Sequence, residues 1–485
     1  MKELVKLIGG YGAIKDNNVA LTMGTESISY KKLYAFIRKW AKLFKKKNIS
    51  EGTKVLVKIE QKLVFIEIWL AIWEIGAVPI PVDSNINERE LMCIIDSASP
   101  EWIITDEEKK GKIRKCLDRI RLTEDVWGMR IGDKEELLNT AFIVYTSGTT
   151  GKPKCVKYDN DATYATLESL IEAYNLTSKD IALTPLTPSL PATLFTIVLP
   201  ILSSGGTLIL EDKPIPGKIL KDIYNEKVTI FFAVPYMYKL LLEAGKIRDY
   251  KKGDCLRRCL STSAYLSPET FYEFYLLTGQ YIRSIFCTSE VMYITYHYED
   301  DMSKMMKSVG KPQKGINIKI VDEKGKELGT QEKGEILVSG THTSSGYLGK
   351  DELWNEIYVK GWVHTGDLGY LDSEGYLYIT GRIHNTINVG GYLVSPEEVE
   401  EILVSSKSVK EALVVGEEDE LTGERVVAYL VINNNYNSDM LLKYCKERLL
   451  DYKVPTEIVI VNELPKGRYG KVRRRLKKFG TNKIV

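Results

Sequence analysis

The chain has 485 residues and carries 67 lysines and arginines against 65 acids, a net charge of +2, so no global field points to nucleic acid or to an acidic polymer as partner. Hydrophobic residues make up 44% and charged residues 27%, which excludes a disordered or fibrous chain, and the length suggests about three folding units. The seven cysteines are scattered without a CxxC pair, which argues against a zinc site and suits a reducing, cytoplasmic setting.

Taken in chain order, the first eighteen residues hold too short an apolar run for a signal peptide. Strand-like runs then alternate with amphipathic helical runs. Residues 55–59, 78–82, 102–105, 142–144, 228–234 and 281–286 read as strands, and 63–74 as a helix. The alternation predicts α/β layers with largely parallel sheets. Residues 181–210 carry no charge, yet Pro185, Pro188, Pro191 and Pro200 break any membrane span. We expect a buried helix over 192–202 and a strand over 207–210, with no membrane span.

The most informative segment follows the apolar run Ala141-Phe142-Ile143-Val144. It reads Tyr145-Thr146-Ser147-Gly148-Thr149-Thr150-Gly151-Lys152-Pro153-Lys154. Glycines let backbone N–H groups turn toward an anion, hydroxyls add donors and lysines add charge, so the segment reads as a phosphate cradle. It is not a Walker loop, because Gly148 and Gly151 enclose two residues and Pro153 follows the lysine.

A boundary is expected at Gly381-Arg382, where the pattern resets. Beyond it, Ser395 is placed to cap a helix with Pro396 in its first turn and Glu398 closing a capping box. Strands over 411–415 and 425–432, a helix over 439–450 and a strand over 457–461 follow. The predicted architecture is therefore α/β: a large N-terminal domain, 1–381, with layered mixed sheets and helices, and a small mobile α+β domain, 382–485.

Several motifs in fixed order resemble the adenylate-forming enzyme superfamily of acyl-CoA synthetases, non-ribosomal peptide synthetase adenylation domains and luciferases, as a stand-alone member. They are Ile28-Ser29-Tyr30, the run from Gly76 to Asp83, the phosphate loop, Lys333-Gly334-Glu335-Ile336, Gly346-Tyr347-Leu348, Thr365-Gly366-Asp367, Gly381-Arg382 and the tail from Leu464 to Lys471. The resemblance implies an AMP-forming ligase. A carboxylate attacks the α-phosphate of ATP, pyrophosphate leaves, and a thiol then displaces AMP from the acyl adenylate. It places Thr146, Ser147, Gly148, Thr149, Thr150, Gly151 and Lys152 around the phosphates and Phe286 against adenine. Glu290 matches the magnesium (Mg2+) carboxylate, with the Ser289 hydroxyl beside it. Asp367 matches the ribose ligand, Arg382 the neighbouring arginine, and Lys471 the lysine between attacking carboxylate and α-phosphate. His384 stands at the hinge of a C-terminal domain rotation, and Gly390 and Gly391 line the pantetheine tunnel.

Departures from the family pattern bear on substrate. The common Tyr-Gly-x-Thr-Glu motif appears as Phe286-Cys287-Thr288-Ser289-Glu290, and a common Gly-Gly pair as Thr262-Ser263. No acid lies between Asp180 and Glu211 to hold an α-ammonium, and a buried ammonium without a carboxylate is costly, which disfavours α-amino acids. Ala192, Phe195, Ala233, Ile285, Tyr293 and Ile294 suggest an apolar lining for an uncharged aryl or aliphatic acid, and Tyr236 and Tyr293 bound an aromatic one. CoA and the phosphopantetheine of a separate carrier protein both stay open as acceptor. Two further readings stay open: a catalytically degenerate nucleotide-binding or carrier-docking protein of the same fold, and a luciferase-like oxygenase.

Overall fold

The computed structural model describes residues 1–14, 18–86, 88–106, 119–121, 127–130, 137–146, 154–247, 255–385, 387–389, 392–419, 423–433, 436–449 and 451–466. It divides into two compact units, one of Met1–Asn317 with Val338–Val363, the other of Ile318–Leu337 with residues from His364 onward.

In the first unit a seven-stranded sheet runs, in spatial order, Ile282–Ser284, Arg258–Ser261, Ile230–Ala233, Ile181–Thr184, Thr207–Leu210, Val19–Met23 and Glu26–Ser29. The first six are mutually parallel and Glu26–Ser29 returns antiparallel to Val19–Met23. A second sheet sets Lys54–Lys58 between the parallel strands Val78–Pro81 and Trp102–Thr105, with Trp127–Arg130 and Arg119–Arg121 added antiparallel. Parallel strands such as Ile230–Ala233 and Val78–Pro81 are buried along their whole length, as expected where both faces of a sheet are covered. The predicted mixed α/β layering is borne out.

Helix Lys62–Glu74 is buried nearly all round, from Leu63 to Trp73, so it forms a core helix rather than an amphipathic one. The Trp73 indole N–H donates to the Ala141 carbonyl at 2.7 Å, and Trp69 packs on Phe142 and Phe195. The uncharged stretch 181–210 forms a strand, a helical segment from Pro191 to Ser203 and a second strand. Its middle, Leu194–Val198, is a π-turn in which the Leu199 N–H reaches back to Leu194. Pro200 supplies no N–H to the ladder, which favours such a local change of register. Among the described residues no helix is long and apolar enough to cross a membrane.

In the second unit Val409–Asp419 and Gly423–Ile432 form a long antiparallel pair, with Glu457–Ile460 parallel to the latter. Helices Pro396–Ser405 and Ser438–Lys446 bury Val399, Leu403, Leu441 and Cys445 in the core of this sheet. The expected capping box is absent. Ser395 sits at the N-cap, but its hydroxyl donates to the Thr380 carbonyl at 2.8 Å and meets Glu397 at 3.0 Å, while Glu398 is drawn to Lys453. Tertiary partners outcompete the local pairing because Lys453 offers charge and Thr380 a fixed carbonyl.

Candidate active site

The phosphate loop is carried by a β-hairpin. Thr140–Thr146 pairs antiparallel with Lys154–Asp159, and Thr146 stands opposite Lys154 as the last pair before the loop. The backbone of Thr146 is thus placed. Ser147, Gly148, Thr149, Thr150, Gly151 and Lys152, and the Thr146 side chain, lie outside the described residues. The stem is fixed by aromatic packing. Phe142 stacks on Tyr158 at 4.9 Å and on Phe195 at 4.2 Å between ring centroids. Phe195 is therefore part of the core under the hairpin, where Trp69 and Phe142 enclose its ring.

A second chain segment is laid beside the outgoing strand. Lys157 N–H donates to Gly346, Ser345 N–H to Lys157 and Leu348 N–H to Cys155, all within 2.9 Å. This ladder seats Tyr347 opposite Val156. Its ring lies 4.9 Å from the Lys154 ammonium, and its hydroxyl donates to Glu290 Oε1 at 2.7 Å. Burial, then the Glu290 charge, pushes the Tyr347 hydroxyl well above its ordinary pKa, so it stays a neutral donor. Tyr158 donates to the Ser289 carbonyl at 2.8 Å and the Ser344 N–H to the Glu290 carbonyl at 2.9 Å. Ser289 is exposed and Glu290 half-buried. Two tyrosines and one backbone amide thus hold the Ser289-Glu290 segment beside the stem of the loop. Sequence reading singled out Gly346-Tyr347-Leu348 as a signature without assigning Tyr347 a task.

Phe286 is 7% exposed, and its carbonyl accepts from the Ile294 N–H at 2.9 Å, closing a hairpin that carries Ser289 and Glu290 at its turn. Thr288 fixes that turn, its hydroxyl accepting from the Val291 N–H at 2.9 Å. Tyr293, buried, donates from its hydroxyl to the Ala192 carbonyl at 3.1 Å and accepts from Thr196 on the π-turn. The structure thus brings Ala192 and Tyr293 together. Ala233 is buried at the carboxyl end of strand Ile230–Ala233 and Ile285 just past that of Ile282–Ser284, two parallel strands with Arg258–Ser261 between them, whereas Tyr236 is 47% exposed in the first turn of helix Pro235–Ile247. Asp180, the nearest upstream acid, is tied up structurally by Thr177, Thr229 and Arg257.

In the second unit Asp367 and Arg382 face each other across the antiparallel strands Trp362–Leu371 and Leu377–Arg382. Arg382 Nε donates to Asp367 Oδ1 at 2.6 Å; the Asp367 carboxylate is nearly fully buried and the arginine side chain 55% exposed. The turn before Asp367 is set by Gly366 at φ +68°, a left-handed conformation that glycine adopts without a Cβ penalty. Glu335 pins the turn, accepting from the Gly366 N–H at 3.2 Å and meeting His364 Nδ1 at 2.9 Å. Thr365 adds a bond to the Ile336 carbonyl at 2.7 Å and accepts from the Asp367 N–H. Glu335, like Tyr347, was legible only as a motif letter. The backbone of His384 lies in the short turn Ile383–Asn385, its side chain outside the described residues, as are Gly390, Gly391 and Lys471.

Among the described residues no group of three or more histidines, cysteines and acids could hold a metal by itself. Glu290, one half-buried carboxylate, fits the other mode, in which magnesium takes one protein carboxylate and completes its shell with phosphate oxygens and water.

Known proteins resemble this chain over nearly its whole length. The chain is 29% identical over 433 residues, 88% of each chain, to a 2-succinylbenzoate–CoA ligase of Bacillus cytotoxicus, and 28% identical over 469 residues, 94% of each, to that of Bacillus subtilis. The structure of o-succinylbenzoate coenzyme A synthetase from Bacillus subtilis in complex with ATP and magnesium ion superposes with a TM-score of 0.85 at 25% identity, covering 96% of this chain and 98% of that one. ATP-bound MatB from Rhodopseudomonas palustris shares the fold at 24% identity and a TM-score of 0.85, covering 96% and 97%. The AMP-binding enzyme family matches residues 13–348 and the AMP-binding enzyme C-terminal domain residues 398–471, so the chain belongs to the AMP-binding enzyme family, as its motifs indicated.

Proposed function

We propose that the protein is an ATP-dependent acid–thiol ligase. It converts an uncharged aryl or aliphatic carboxylic acid to its acyl adenylate with release of pyrophosphate, and passes the acyl group to the thiol of CoA. A carrier-protein phosphopantetheine is the alternative acceptor. The observation that carries the reading is the placement of Glu290, held by Tyr347, beside the stem of the Ser147–Lys152 loop, in a chain whose relatives are acid–CoA ligases.

The work of such a site is positioning and charge neutralisation. The glycine- and hydroxyl-rich loop would cradle the β- and γ-phosphates through backbone N–H groups and the Ser147, Thr149, Thr150 and Lys152 side chains. Magnesium, when bound, would neutralise phosphate charge; Glu290 is the residue that would hold it, with Ser289 at its side. Asp367, its carboxylate already engaged on one oxygen by Arg382, has the two-oxygen chemistry to accept ribose hydroxyls. Lys471 is assigned to the approaching carboxylate and the α-phosphate. The boundary at 381/382, the hinge at His384 and the tunnel glycines Gly390 and Gly391 belong to the same proposal. Apolar Ala192, Ala233, Ile285 and Tyr293, with Tyr236, are assigned to the acid, and the Tyr293 hydroxyl is committed to Ala192 and Thr196.

Pyrophosphate exchange across a panel of carboxylic acids tests the reading. Exchange with at least one acid, followed by thioester formation with CoA or with an acidic carrier protein, is the expected result. Nucleotide binding with no exchange for any acid would leave the degenerate binding protein instead. Lys471→Ala should cut adenylation by about a hundredfold while thioester formation from supplied acyl adenylate survives; equal loss of both steps removes its assigned role.

A further inference from the structure

We propose that helix Tyr30–Lys46 is a peripheral membrane-binding element that lays a row of lysines on an anionic bilayer surface. This property goes beyond the ligase reading and does not depend on it.

The helix, YKKLYAFIRKWAKLFKK, has seven lysines and arginines in 17 residues and no acid. The whole chain is close to balanced, so its remainder is net acidic and positive charge is gathered on this element. At 3.6 residues per turn the seven fall within a sector of about 140°. Lys31 and Lys32 lie in the first turn, Lys39 and Lys42 in the middle and Lys45 and Lys46 in the last, all exposed. The opposite sector buries Leu33, Ile37, Trp40, Ala41 and Phe44 in the core. Arg38 pairs with Glu74 at 2.8 Å. Lys32, Lys39, Lys42, Lys45 and Lys46 have no ion pair among the described residues. Glu67 of the neighbouring helix, close enough for Lys32 and Lys39 to act on it, is buried and accepts from the Trp40 indole.

This charge works against the helix. Lys31 and Lys32 stand at the positive end of the helix dipole, with no acid in the first turn. Lys42 meets Arg38, Lys39, Lys45 and Lys46 at three- and four-residue spacings, where like charges repel. The buried seam holds the helix together, and an opposing anionic surface relieves the repulsion. The composition of the face selects the kind of surface. Protein interface cores are depleted in lysine and enriched in aromatic residues and arginine, the inverse of this row. The charged sector holds no Asn, Gln, Ser or Thr to read base edges. Hydrated ammonium groups on flexible stems suit the diffuse charge of lipid headgroups, and about four to eight on one amphipathic helix is the number that binds them. Half-buried Phe36 and Leu43 border the lysines on one flank, with the Lys32 ammonium 5.5 Å from the Phe36 ring, as in helices that lie in an interface plane.

Co-sedimentation of the full chain with vesicles of phosphatidylcholine alone, and of equal parts phosphatidylcholine and phosphatidylglycerol, tests the proposal. The wild type should bind only the anionic vesicles at about 0.1 M salt and leave them at about 1 M, where the screening length falls from about 10 Å to about 3 Å. The combined variant Lys39→Gln, Lys42→Gln, Lys45→Gln, Lys46→Gln should lower the partition coefficient by about a hundredfold or more, at about fivefold per lysine. Its thermal unfolding should match or exceed that of the wild type, because repulsion is removed. Arginine at the same four positions should keep vesicle binding. A charge-matched variant of exposed lysines elsewhere, Lys213→Gln, Lys221→Gln, Lys227→Gln, Lys239→Gln, should bind as the wild type does. No binding to anionic vesicles, equal binding to phosphatidylcholine alone, equal loss in the two glutamine variants, or tighter binding to duplex DNA or polyglutamate than to the anionic vesicles overturns the proposal. Each of these outcomes leaves pyrophosphate exchange, and the ligase reading, to be judged by itself.

Discussion

Tyr347 shows how much of the site rests on residues that do no chemistry themselves. Its hydroxyl orients one oxygen of Glu290, while its ring lies beside the Lys154 ammonium at the foot of the phosphate loop. A hydrogen bond to a charged group contributes about 1.5–3 kcal/mol. Tyr347→Phe should therefore lower the rate of pyrophosphate exchange by about tenfold or more and raise the magnesium concentration for half-maximal activity. The ring packing that governs folding is retained in that variant. Wild-type exchange together with an unmoved magnesium titration would remove Tyr347 from the positioning role. Glu335 stands in the same relation to Asp367, holding a turn whose glycine lies at positive φ. Neither role is visible in sequence, because the partners are 57 and 31 residues apart and no periodicity links them.

The hairpin Thr140–Asp159 is the element on which the phosphate loop depends. Its incoming strand is pinned by the Trp73 indole on the Ala141 carbonyl, and its inner face by the stack of Phe195, Phe142 and Tyr158. Trp73→Phe keeps an aromatic ring in the core but deletes the donor. It should cost about 1–3 kcal/mol of stability by denaturant unfolding and raise KM for ATP, since the loop stem loses an anchor. A stability loss with unchanged KM would confine Trp73 to the core. The strand was legible from its apolar run; its antiparallel partner was not, because Lys154–Asp159 mixes lysines with valine and tyrosine and gains its place only by pairing. At the opposite end of the chain the Ser395 motif predicted a capping box that the fold diverts to Thr380, Glu397 and Lys453. Local capping is worth about a kilocalorie per mole, little enough for a nearby cation and carbonyl to override.

At the scale of the whole molecule, buried histidines set a response to acid. Burial drives the His297 imidazole down from 6.5 to about 4, against its bond to the Ser308 carbonyl and helped by the Arg283 charge; burial lowers His342 as well. The unfolded chain binds these protons near pH 6.5 and the folded chain resists them, so stability is full above that pH and falls as pH drops toward 4. His297 alone should account for about 3 kcal/mol over that window, read as the difference in unfolding free energy between pH 7 and pH 4. His297→Gln, which keeps a donor for Ser308, should flatten that slope; an unchanged slope would assign the acid response to other groups. The amino-acid order by itself determined the α/β class and the family, because those depend on short-range patterns of apolar runs and on motifs in fixed order. Only the tertiary structure decided that Phe195 serves the core and that Tyr347 and Glu335 position the acids. Such contacts join residues distant in the chain, and their partners are chosen by packing and burial rather than by neighbourhood in sequence.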